Sequence, residues 1–264
     1  MQRSDEGFLA RLAQEARSRV ASGYYAVDGG ARTDRASLLE ALRARKRIPV
    51  IAEIKFRSPS EGLITRVKEV AEIAKAYARG GAAAISVLTE PENFGGRMEY
   101  ISEVKGAVKL PVLMKDVIVD EVQVKAGART GADAILLIAA VFHSRMADRS
   151  LEEMVGVCHR QGLEVVVEVH DDEEFEPAIR GEADIVGINN RDLQSFSVSL
   201  ETSRRLLLRG PQPKPVICES GIGGRSDIES LGRLGASGFL VGTTLMRARD
   251  PEAALQELTR VGPR

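Results

Sequence analysis

The sequence predicts a (β/α)8 barrel preceded by a short helical extension, and three observations predict it. A Gly-Ala-x-apolar pattern recurs at residues 81–87, 131–137, 181–187 (with one extra Glu) and 235–241. Aligned on Ala83, Asp133, Asp184 and Ser237, its steps are 50, 51 and 53 residues. A spacing of about 50 residues is too long for one strand–helix unit and suits two. Four further apolar segments fall between the repeats, at 49–53, 111–115, 164–168 and 215–219. All eight are nearly continuous in apolar character, as parallel strands are when both faces are buried. Helical spacings separate them throughout, and eight such alternations close naturally as a barrel.

In chain order, Phe8, Leu12 and Ala16 share one helical face, and Ser37 with Glu40 opens a second helix. Residues 1–48 are therefore read as an extension packed on a single barrel domain that includes the whole chain, 1–264. Strand 1 follows at 49–53. Val67, Val70, Ala74 and Tyr77 give the next helix its buried face, and Gly80-Gly81 stops it. Strands 2 to 5 lie at the first repeat, 111–115, the second repeat and 164–168. After strand 5, Asp171-Asp172-Glu173-Glu174 opens a helix, where negative charge suits the N-terminal dipole. Strand 6 is the third repeat and strand 7 is 215–219. Ser226 and Glu229 read as a capping box before Ile228, Leu231 and Leu234, with Gly235 as the stop. Strand 8 is the fourth repeat, and Asp250-Pro251 reads as N-cap and first residue of a last helix.

Composition narrows the function. Lys and Arg total 37 against 38 Asp and Glu, a net charge of −1, which excludes a generally basic nucleic-acid surface. No apolar run reaches the roughly 18–20 residues of a membrane span. The first twenty residues are charged throughout and lack the apolar core of a signal peptide, so the protein is expected in the cytoplasm. Cys158 and Cys218 form no CxxC pair and are expected to be buried thiols.

Side chains alternate along a strand. The third residues of the odd strands are Ile51, Leu113, Val166 and Ile217, which suit one interior layer. The fifth residues share that parity: Glu53, Lys115, Glu168 and Glu219. Lys55 lies one inward step beyond Glu53. Residues two and four of these four strands are apolar and are expected to face the helices. The expectation is a ring of three carboxylates and two ammoniums at the C-terminal mouth, where desolvated charges serve as general acids and bases.

A second site follows strands 7 and 8. Ser220-Gly221-Ile222-Gly223-Gly224 and Gly242-Thr243-Thr244 are loops whose backbone N–H groups can hold a phosphate. Neither is a P-loop or a dinucleotide fingerprint. Asn189, after strand 6, is expected to hydrogen-bond a polar substrate, and Arg191 with Asp192 to brace that loop as an ion pair. His143, His159 and His170 show no metal-ligand spacing, and no metal is expected.

These motifs resemble one family. Residues 51–55 (IAEIK) with 58–60 (SPS), 86–89 (SVLT), 94–96 (FGG), 113–116 (LMKD), 131–133 (GAD), 187–193 (GINNRDL), 219–222 (ESGI) and 242–246 (GTTLM) resemble indole-3-glycerol phosphate synthases, in order over about residues 37–248. The resemblance implies conversion of 1-(o-carboxyphenylamino)-1-deoxyribulose 5-phosphate to indole-3-glycerol phosphate, CO2 and water, without cofactor or metal. It makes Lys115 the general acid of ring closure and gives the later dehydration to Glu168 and Lys55, either of which can be the second acid. Glu53 would orient Lys115 and bind sugar hydroxyls, with Asn189 and Glu219 completing the polar floor. Ser58, Ser220, Gly221, Gly242 and Thr243 would hold the phosphate, and Leu88 and Phe94 the anthranilate ring. The sequence departs from the family at Phe56, usually basic, at Val117, usually Phe in the ring pocket, and at Thr243, usually Ser or Glu. These departures bear on substrate affinity more than on reaction type.

Two other readings compete. A phosphosugar isomerase would share the phosphate loops but needs only one acid–base pair. A non-catalytic barrel binding a metabolite or protein has no need of charged strand ends. The five-charge mouth argues against both. The partner expected is a small phosphorylated substrate, with neither nucleic acid nor membrane.

Overall fold

In the computed structural model, residues 7–27, 35–44, 47–65 and 69–260 are described. Val67, expected on a helix face, lies outside them. Eight parallel strands among the described residues close into a barrel in chain order. They are β1 (Val50–Ile54), β2 (Ala84–Leu88), β3 (Val112–Lys115), β4 (Ala134–Ile138), β5 (Glu164–Val169), β6 (Ile185–Asn189), β7 (Val216–Glu219) and β8 (Gly238–Val241). β1 pairs with both β2 and β8, so no edge is left.

Strand parity fixes what each residue meets. Ile51, Leu113, Val166 and Ile217 have no exposed surface and fill the interior. Met114, at a helix-facing position, lies so close to the helix Glu121–Thr130 that a Cβ on Gly127 would stand 2.7 Å from its sulfur. Cys158 and Cys218 are buried thiols, and burial pushes both up to about 12.

Local capping sets the helix starts. Ser37 Oγ accepts the Glu40 N–H at 3.0 Å and opens Leu38–Arg43. Asp171 does the same for Asp172–Arg180, and Asp250 for Pro251–Thr259. Val70, Ala74 and Tyr77 are buried along Val70–Gly80, which ends at Gly81. One start differs from the sequence reading. The helix Arg225–Arg233 begins at Gly224, so Ser226 lies inside its first turn. Asp227, not Ser226, takes the exposed N–H groups, accepting from Gly223 and Gly224 at 2.9 and 3.2 Å.

The helices before β1 are fastened at both ends of the barrel. At the N-terminal end, Glu164 accepts from Ser37 Oγ (2.5 Å) and the Leu39 N–H (2.9 Å). Asp133 there binds Lys105 at 2.7 Å and accepts the Ala36 and Val112 N–H groups. At the other end, the helix Phe8–Ala21 is tied by Arg19, whose Nη1 lies 3.0 Å from Glu90 Oε1, both side chains buried. Tyr25, just beyond, donates to Asp116 at 3.0 Å. No helix of the described residues is long and apolar enough to cross a membrane.

Candidate active site

A cavity of about 370 Å³ opens at the C-terminal mouth of the barrel, within the usual range for a small-molecule site. Every site residue nominated from the sequence lines it. Lys115, Glu168, Lys55, Glu53, Asn189 and Glu219 form its floor and wall. Ser58, Ser220, Gly221, Gly242 and Thr243 line one side, and Leu88, Phe94 and Val117 another.

The floor is a bonded charge network. Lys115 Nζ lies 2.6 Å from Glu168 Oε2 and 2.9 Å from Glu219 Oε2. Lys55 Nζ lies 2.6 Å from Glu53 Oε1, so Glu53 contacts Lys55, while Lys115 is held by the other two carboxylates. Asn189 Nδ2 donates to Glu168 Oε1 at 3.0 Å, and Asn189 Oδ1 takes the Arg191 N–H at 3.0 Å, which fixes the amide's orientation. Two glycines make room for this crowd. A Cβ on Gly187 would stand 2.2 Å from Glu219 Oε1, and one on Gly242 would stand 2.2 Å from Glu53 Oε1.

The electrostatics separate the carboxylates. Burial pulls Lys115 down, but the fields of Glu168, Glu219 and Glu53 more than reverse this, so it stays an ammonium. Burial pushes Glu168 up, yet Lys115 and His170 hold it well below the usual carboxylate range. Glu219 is pushed up to about 7, first by burial and then, against Lys115, by the field of Glu168. Its Oε1 is buried with no hydrogen-bond partner among the described residues. The floor thus carries a fixed cation, a fixed anion and a carboxyl that exchanges its proton near neutrality.

The loops after β7 and β8 meet over one side of the cavity. Ser220 and Gly221 both have positive φ, 62° and 77°, a left-handed pair that glycine makes easy at its second position. Thr244 Oγ1 donates to Ile222 O at 2.8 Å and ties the two loops together. Across from them, Leu88, Phe94 and Val117 offer an apolar wall. Glu90 accepts the N–H groups of Glu92, Asn93 and Phe94 and so fixes the short turn that carries Phe94.

Two expectations from the sequence are corrected by this geometry. Arg191 and Asp192 do not pair. Arg191 Nη1 reaches Ser60 Oγ at 3.0 Å and Phe196 O at 3.1 Å, while Asp192 accepts from Gln194, Ser195 N and Ser195 Oγ inside its own loop. Asp192 is engaged by a tight local turn, which leaves the guanidinium to line the cavity. Phe56 lies outside the cavity lining, buried edge-on against Tyr100 with centroids 5.5 Å apart, so this side chain itself takes no part in the site.

The roof of the cavity was not legible in the sequence. Phe8, Leu9 and Leu12 of the first helix line the cavity, and Phe8 meets Phe196 edge-to-face at 4.7 Å. The spacing of Phe8, Leu12 and Ala16 signals a buried face, and only tertiary packing shows what that face covers.

A family model described as "Indole-3-glycerol phosphate synthase" matches residues 10–258. The chain belongs to the indole-3-glycerol phosphate synthase family. Membership assigns the activity, that of a decarboxylating lyase of tryptophan biosynthesis. Enzymes of that name from Methanopyrus kandleri and Neisseria meningitidis are 46% and 44% identical to it. They align over 81% and 84% of this chain and 84% and 85% of their own lengths. The fold alone is shared more widely. A thiamine phosphate pyrophosphorylase from Pyrococcus furiosus and an N-acetylmannosamine-6-phosphate 2-epimerase from Clostridium perfringens superpose with TM-scores of 0.59 and 0.60 at 20% identity. They cover 80% and 82% of this chain and 93% of each of theirs.

Proposed function

We propose that the charge network at the barrel mouth carries out each proton movement of indole-3-glycerol phosphate formation from 1-(o-carboxyphenylamino)-1-deoxyribulose 5-phosphate. The observation that carries this reading is the Lys115 ammonium held 2.6 and 2.9 Å from two buried carboxylates on the cavity floor. An acid for ring closure must be protonated at neutral pH and fixed against the substrate carbonyl, and this lysine is both. The ring carbon that bears the carboxylate attacks the ribulose carbonyl, and Lys115 protonates the oxygen as the bond forms. Loss of CO2 returns the bonding pair to the ring. In the dehydration, Lys55 protonates the departing hydroxyl, and Glu168, held ionised, takes the proton whose loss completes the indole. Glu53, 2.6 Å from Lys55 Nζ, holds that side chain in place and meets the sugar hydroxyls. Asn189 fixes Glu168, and Glu219 reprotonates Lys115.

The phosphate is assigned to Ser58, Ser220, Gly221, Gly242 and Thr243, with the Arg191 guanidinium at the same rim. The anthranilate ring is assigned to Leu88, Phe94 and Val117 under the roof of the first helix. Anchoring both ends of the substrate holds the attacking carbon against the carbonyl, which is where binding energy becomes rate. A small phosphorylated substrate, no nucleic-acid or membrane partner, and a cytoplasmic setting complete the proposal.

The test is direct. Incubation of the substrate with the protein should produce indole fluorescence. Lys115→Met and Glu168→Gln should each lower kcat by at least about a hundredfold, the usual worth of a positioned acid or base, while KM moves much less. A variant that folds by circular dichroism yet keeps more than about a tenth of wild-type kcat shows that the substituted residue is neither the acid nor the base of the reaction.

A further inference from the structure

His170 stands one inward step beyond Glu168, at the end of β5, and is largely buried. It does not line the cavity. Its Nε2 lies 3.4 Å from Glu168 Oε1 and its Nδ1 lies 3.2 Å from Glu174 Oε2. Glu174 also accepts the His170 backbone N–H at 2.8 Å, so ring and carboxylate are fixed to each other. Glu174 belongs to the first turn of the helix Asp172–Arg180, whose dipole favours its negative charge. A neutral imidazole has one N–H. Nδ1 is hydrogen-bonded to Glu174, while buried Nε2 lies at ion-pair distance from Glu168 without hydrogen-bond geometry. With an anionic oxygen near each ring nitrogen, the positively charged imidazolium is favoured over either neutral tautomer.

We infer that His170 is a positioning residue of the reaction: as an imidazolium bridging Glu168 and Glu174, it holds Glu168 in place and ionised. This rests on the role proposed for Glu168 above. Glu168 then has a donor or cation on every side: Lys115 on Oε2, and Asn189 and His170 on Oε1. Glu219, which shares Lys115, has an Oε1 with no hydrogen-bond partner among the described residues. That difference in surroundings assigns the anion to Glu168 and the exchangeable proton to Glu219.

The other charges facing His170 agree. Asp192, in the loop after β6, is stabilised as an anion chiefly by Ser195 and in smaller part by His170. Lys115 contacts Glu168 on its other oxygen, and His143, on the helix after β4, is exposed. Burial alone would lower the basicity of His170, but Glu168 and Glu174 raise it to about 10.

Two measurements on the intact protein test this. In imidazole NMR spectra of the substrate-free protein, assigned with His170→Asn, His170 should remain doubly protonated through pH 8. Glu174→Gln should lower its midpoint by about a unit or more, since it removes one of the two carboxylates. A wild-type midpoint near the ordinary histidine value of about 6.5 overturns the inference. This arm needs no activity, so it stands even if the proposed reaction fails.

In the second measurement, His170→Asn, which keeps a donor but loses the charge, should move the acidic limb of the kcat–pH profile upward by about a unit. KM should stay within about twofold, as expected of a group outside the cavity. Glu174→Gln should shift the same limb in the same direction by less. A lowered melting temperature with an unmoved acidic limb in both variants would reduce His170 to a packing residue and overturn the proposal.

Discussion

Gly187 is one of two places where a single added atom would reach the site's carboxylates. It pairs with Glu168 on one side and Ile217 on the other, and its missing side chain leaves the space that Glu219 Oε1 occupies. Its backbone is not in the left-handed region, so alanine is conformationally acceptable there, and only the carboxylate must move. Gly187→Ala should therefore melt near wild type while kcat falls on the order of a hundredfold, the cost of displacing a reacting group by about an ångström. Activity within about threefold of wild type would show that Glu219 works equally well from another rotamer. The sequence could not foresee this use of Gly187. It did foresee Glu53, Lys115, Glu168 and Glu219, because strand alternation with period two forces residues of one parity to one side. His170 obeys the same parity as Glu168, but it lies beyond the fifth strand residue, where the aligned strands share no pattern. What makes His170 chemically interesting is Glu174, brought alongside by the following helix turn. Arg191 was misread for a similar reason, since its partners Ser60 and Phe196 O come from two loops whose meeting no local pattern announces.

Among the elements, the first helix is the one whose attachment reaches the site. Arg19, 6% exposed, is buried against Glu90, and Glu90 in turn holds the turn that carries Phe94. Arg19→Leu would leave the carboxylate buried with only neutral N–H donors. Breaking a buried pair in this way costs about 3–5 kcal/mol, and the four remaining N–H bonds, three from backbone and one from the Asn93 amide, place the expectation at the lower end. Urea unfolding should register that loss, and KM should rise as the Phe94 turn loosens. A change below about 1 kcal/mol would mean that the N–H bonds alone satisfy Glu90. The helix itself was legible from Phe8, Leu12 and Ala16. Its destination was not, because an amphipathic stripe states that a face is covered without naming the partner. The strands and the helix starts at Ser37, Asp171 and Asp250 were legible for the opposite reason: apolar runs, Asp-Pro and Ser-x-x-Glu act within a few residues. The start at Gly224 was misplaced because Asp227 and Ser226–Glu229 offer overlapping caps, and the backbone of Gly223-Gly224 selects the former.

On the scale of the whole molecule, the buried charges tie stability to pH. Glu219 holds its proton up to about 7 when folded and to about 4.5 when unfolded. A group raised in this way contributes stability that is complete below 4.5 and is lost as pH rises through 7. His170, raised to about 10, contributes stability that is complete below 6.5 and is lost as pH rises through 10. Glu219→Gln removes the first of these dependences. Its melting temperature should fall less than wild type between pH 4.5 and 8 and exceed wild type at pH 8, while parallel curves would show that Glu219 is ionised throughout. The roof has a consequence for traffic in and out of the site. Phe8 and Phe196 meet above the cavity through one edge-to-face contact, worth roughly 0.5–1.5 kcal/mol. Against thermal energy, that contact alone would leave the two rings apart for roughly a tenth to a third of the time. An entering ligand that parts these two rings therefore gives up no more than one weak contact at the rim.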